Sequence, residues 1–79
     1  MSKPKALINP TTPNQARTNA EEFRKIALEY ADHMRLWIMG NKTAGQKARV
    51  LAVYMKNNIP LINRGMTRTD DGSIEEEGR

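Results

Sequence analysis

His33 is the only histidine of the chain and there are no cysteines, so a metal or nucleophile site would have to be built from one imidazole and carboxylates. The nearest carboxylates are Glu21, Glu22, Glu29 and Asp32, with Glu29 one helical turn before His33. Paired carboxylates do general acid and base work when burial or a like charge pushes one of them up in pKa. Here Arg24 and Lys25 fall between them and Arg35 follows, so a solvated, ion-paired face is expected, with His33 part of it. A closed metal site needs more His or Cys than the chain has. No Ser-His-Asp or Ser-Lys arrangement is present. The expectation is a protein that is not an enzyme and calls for no metal and no cofactor.

Two stretches imitate ligand loops. Gly40-Asn41-Lys42-Thr43-Ala44-Gly45-Gln46-Lys47 has the glycine spacing of a phosphate-binding loop. Gln46, however, stands where the lysine must be, Lys47 replaces the magnesium-binding hydroxyl, and no strand precedes it. Asp71-Gly72-Ser73-Ile74 echoes the middle of a calcium loop, but Thr67 and Thr69 would fill the first and third ligand positions and Gly78 the twelfth.

The element that positions His33 and the carboxylates is a helix over about 18–39. Thr18-Asn19-Ala20-Glu21 has the form of a capping box, repeated one step later by Asn19 and Glu22, and Gly40 suits a left-handed residue after the last turn. Phe23, Ile26, Ala27, Tyr30, Ala31, Met34, Trp37 and Ile38 share an arc of roughly 140° on a helical wheel. Phe23, Tyr30 and Trp37 recur every seven residues, a spacing that predicts core aromatics rather than a base-stacking platform. Thr12 before Pro13 offers a second start further back, but one that bypasses the box at Thr18.

Thr43-Ala44-Gly45-Gln46 predicts the start of a shorter helix over about 44–58, ending because Ile59 precedes Pro60. Its apolar arc is wide, roughly 200°, and takes in Tyr54. A short connection predicts an antiparallel pairing. The expected fold is therefore an all-α helical hairpin over 18–64, with a flexible basic arm at 1–17 and a disordered acidic tail at 65–79. Leu61 and Ile62 would fold back onto the hairpin.

With 79 residues, 38% of them hydrophobic, and a mean hydropathy of −0.73, the chain is one domain at most and has a small core. No disulfide can reinforce it, so pairing of two hairpins into a four-helix bundle, as a homodimer or hetero-complex, is expected. Nothing resembles a signal peptide or membrane span, and the cytoplasm is the expected compartment. The net charge of +4 divides unevenly: residues 1–64 hold eleven Lys or Arg and four acids, and residues 65–79 hold two and five.

Two functional expectations follow. Leu28, Leu36 and Met39 fall on the polar side of the first helix; either the flanks cover them, through Leu7 and Ile8 or Ile59, Leu61 and Ile62, or they bind another protein. With Val50 and Val53 they are the protein-contact candidates of an accessory or regulatory factor: an inhibitor, an adaptor or a minor component of an assembly. The alternative is a nucleic-acid-binding protein, for which Lys42, Lys47, Arg49, Lys56 and Arg64 are the candidates, helped by Lys3, Lys5 and Arg17 of the arm.

Overall fold

The structure, a computed structural model, describes residues 6–70 and Gly72. It is an all-α hairpin of α1, Pro13–Ile38, and α2, Lys42–Asp70, packed antiparallel along their lengths. Its Cα radius of gyration, 15.0 Å, exceeds the roughly 12 Å expected of a compact domain of this size, as a two-helix rod must.

Both helices are longer than the sequence suggests, and each extension has a local cause. α1 begins at Pro13, not at Thr18. Thr12 is extended (φ −136°, ψ 157°) and its hydroxyl accepts from the Gln15 N–H at 3.1 Å. The Gln15 side chain reaches back to accept from the Thr11 N–H at 2.8 Å and the Thr11 hydroxyl at 2.6 Å. Pro13 occupies the first turn, where its missing N–H costs nothing. Asn19, expected to be a cap, is inside the helix and buried, and binds the chain that precedes the helix: its Oδ1 accepts from the Ile8 N–H at 3.2 Å and its amide donates to the Ile8 carbonyl at 2.6 Å.

α1 ends as expected at Gly40, whose φ of +104° suits glycine. The Gly40 N–H donates to the Trp37 carbonyl and the Asn41 N–H to the Leu36 carbonyl, at 2.9 and 3.0 Å, the paired bonds of a Schellman motif. Asn41 also starts α2, because its Oδ1 accepts from the Ala44 N–H at 3.1 Å. One residue thus closes α1 with its backbone and opens α2 with its side chain. The box at Thr43 is bypassed.

α2 does not stop before Pro60; it runs to Asp70 with the proline inside it. Pro60 and Lys56 are both exposed, so water can satisfy the Lys56 carbonyl that loses its partner. The turns beyond are held from outside the helix. Gly65 is buried against Ala16 and Pro10, Arg64 donates to Asn9 Oδ1 at 2.8 Å, and Arg68 donates to the Pro10 carbonyl at 3.2 Å. Tertiary packing outweighs the local penalty. Residues 6–12, assigned above to a flexible arm, therefore lie against the open end of the hairpin, and Leu61 and Ile62 belong to the helix instead of folding back on it. Residues 65–70, assigned above to the disordered tail, are its last turns; the rest of that tail, Gly72 apart, lies outside the described residues.

The core is narrow. Ile26, Ala44, Ala48 and Leu51 are its buried apolar residues, and only Leu51 among them is fully enclosed. Small residues let the helices approach at both ends: a Cβ on Gly45 would stand 2.5 Å from Trp37 Cδ1, and one on Gly65 would stand 2.9 Å from the Ala16 Cβ. Trp37 corrects the expectation of a core aromatic, because at the turn end of the hairpin it is 54% exposed.

Candidate docking groove

The seam between the helices uses two positions per seven residues. On α1 these are 16, 19, 23, 26, 30, 33 and 37; on α2 they are 44, 48, 51, 55, 58, 62, 65 and 69. Each helix carries a third apolar row beside its seam. Ala20, Ala27 and Met34 form it on α1, and Gly45, Ala52, Ile59 and Met66 form it on α2. For antiparallel helices, rows offset in the same rotational sense emerge on the same side of the pair. Three apolar positions in seven are what a bundle helix needs, and a two-helix seam needs only two.

The result is an open apolar groove along one face. A cavity of about 190 Å³ lies between Tyr30, Met34, Trp37, Gly45, Ala48, Arg49 and Ala52. A neighbouring depression of about 380 Å³ shares Tyr30 and Ala52 with it and continues along Met55, Lys56, Ile59 and Pro60. Towards the open end, another of about 300 Å³ is lined by Ala16, Arg17, Ala20, Gly65, Met66, Thr69 and Asp70. The segment 6–12 hydrogen-bonds to Asn19, Arg64 and Arg68, which lie away from these rows, and packs Pro10 against Gly65, but none of its residues lines the three depressions.

The residues singled out from sequence scatter around this feature. Leu28, Leu36, Met39, Val50 and Val53 are all exposed, so the described flanks do not cover the first three. By their wheel positions they lie off the groove: Leu28 and Met39 on the back of α1, Val53 on the back of α2, and Leu36 and Val50 on the side away from the groove. Among the basic candidates, Lys42, Arg49 and Lys56 recur every seven residues along the groove's α2 edge. Lys47 is on the opposite side, and Arg64 is engaged with Asn9. The groove residues were hidden because they are small, and because ending the second helix before Pro60 removes Ile59 and Met66 from its apolar row.

Charge is divided by helix. α1 holds four Lys or Arg and four acids, whereas α2 holds six Lys or Arg with Asp70 its only acid. Lys25 meets Glu22 at 3.5 Å. His33 is not the solvated partner expected of Glu29: it is half-buried and its Nδ1 has no hydrogen-bond partner. Burial pushes the Tyr54 phenol above its usual 10.0, and the negative charge of Glu22 adds to the shift. Among the described residues no three His, Cys, Asp or Glu side chains gather into a metal-sized cluster. Gly40 and Gly45, which gave the phosphate-loop spacing, are employed in the turn and in the contact with Trp37. Asp71, Ser73 and Ile74 of the calcium-loop echo lie outside the described residues.

No protein-family model, no curated protein and no solved structure matches this chain.

Proposed function

We propose that this protein is a non-enzymatic docking module of the cytoplasm, an accessory or regulatory factor that binds another protein through the groove between α1 and α2. The observation that carries this reading is the third apolar row on each helix, which the described residues leave open along one face. Exposed Trp37, Ile59 and Met66 supply large contact side chains there, of the kind that dominate binding energies when a partner desolvates them. A rod with so narrow a core gains stability from any helix that fills the groove. Among the described residues no helix is long and apolar enough to cross a membrane.

The test is affinity capture from nuclease-treated lysate with the wild-type chain and with Ala52→Glu and Ile59→Glu, each checked for helicity by circular dichroism. Proteins retained by the wild type and lost with both variants support docking through the groove. A set that is unchanged by the variants overturns it.

A second reading has its own observation. Lys42, Arg49 and Lys56 form a row on a helix whose sole acid is Asp70, and such a row suits a phosphate backbone. Binding to a short duplex that falls steeply with salt and survives Ile59→Glu favours nucleic acid instead.

A further inference from the structure

Resting on the docking reading above, we infer that the groove's occupant is an acidic amphipathic helix of about three heptads. The length comes from the groove itself. Its two ends are fixed by the contacts of Trp37 with Gly45 and of Ala16 with Gly65, and the 21 helical steps from Ala16 to Trp37 span roughly 30 Å. The shape comes from its walls, since two antiparallel helices leave a furrow into which a third packs with its apolar stripe.

The chemistry comes from the rims. Arg17 and Arg24 follow one edge on α1, and Lys42, Arg49 and Lys56 follow the other on α2; all five are exposed. Arg49 and Lys56 directly wall the cavities of the groove, and Arg17 and Arg24 flank Ala20 at its other edge. The acids that border it, Glu21 and Asp70, sit towards the open end, and Glu29 and Asp32 turn away. An occupant with glutamates beside its apolar stripe meets cations on both sides. A second copy of this chain would set these cation rows against each other, which argues for a different partner. Nucleic acid would satisfy the rims but would press phosphates against an apolar floor.

The experiment uses the full chain and three tryptophan-free 21-residue peptides: one with leucines at seam positions and glutamates flanking them, one with lysines in place of the glutamates, and a scrambled acidic peptide without the stripe. Trp37, the only tryptophan, reports from the groove itself, and anisotropy of labelled peptide gives the affinity. At about 0.15 M salt the acidic helix should bind on the order of tenfold more tightly than the lysine one and blue-shift Trp37, with the scrambled peptide inert. Reversing one rim with Arg49→Glu and Lys56→Glu, both exposed, should abolish or invert that preference without loss of helicity. Equal binding of both stripe peptides overturns the acidic occupant while leaving apolar docking in place. Equal binding of the scrambled peptide overturns the helical groove. A chain that binds neither stripe peptide, whether it sediments as a dimer with Trp37 shielded or as a monomer, overturns this inference, and in the monomer case the docking reading with it.

Discussion

The indole of Trp37 lies so close over Gly45 that a Cβ there would stand 2.5 Å from Cδ1 and 3.0 Å from Nε1. At the other end, Gly65 faces the Cβ of Ala16 at 2.9 Å and its Cα at 3.4 Å. The two glycines look equivalent in sequence but differ in what opposes them. Trp37 is a half-exposed side chain with room to swing, whereas the Ala16 atoms are fixed to the backbone of α1. Gly45→Ala should therefore fall within about 1 kcal/mol of wild type, the gain in helix propensity offsetting the displaced indole, with a red shift of Trp37 emission. Gly65→Ala should cost on the order of 1–3 kcal/mol, because the helices must separate. Urea melts followed by circular dichroism give both values.

Leu51 and Trp37 invite equal treatment as large apolar residues at helical spacing, and the fold separates them. Leu51 is fully enclosed, so Leu51→Ala should cost on the order of 2–5 kcal/mol. Trp37→Ala removes a half-exposed ring and should cost clearly less, while weakening occupation of the groove. Denaturant melts would rank the two; equal costs would mean that Trp37 is covered in solution.

Pro60 interrupts the hydrogen-bond ladder of α2 at an exposed position where tertiary contacts carry the helix onward. Pro60→Ala restores the bond to the Lys56 carbonyl and should raise stability by on the order of 1–3 kcal/mol, seen as a higher melting temperature.

Tyr54 makes the stability respond to alkaline pH. Its folded pKa is raised above the unfolded value of 10.0, so its contribution is complete below that value and is lost as pH rises through the folded pKa. The melting temperature should decline above about pH 10, and less in Tyr54→Phe than in wild type. Identical slopes would assign the decline to other groups.

These contrasts show where the sequence was legible. The seven-residue recurrence of Phe23, Tyr30 and Trp37 and the glycine at position 40 state a long helix and its end, because both depend on neighbours within one or two turns. Pro60 and Asn19 were opaque for the opposite reason. Whether a helix survives a proline depends on Ala16 and Pro10, far away in sequence, and whether Asn19 caps or lies within a helix depends on Thr12 offering an earlier cap. The groove was half legible. A wide apolar arc on the second helix was visible, but its side, its length and its basic rims required knowing that Ile59 and Met66 continue the row begun by Gly45 and Ala52.

The glycine contacts at the two ends have a consequence for how this molecule could change in length. A single residue inserted between them in either helix turns everything beyond it by about 100°, and would bring Gly65 round to face solvent while Ala16 met a side chain. Removing seven residues from each helix, in contrast, preserves both contacts and all apolar rows, so such a shortened chain should still melt cooperatively where the single insertion does not. Variation of the rod is thereby restricted to steps of about 10 Å, made in both helices at once.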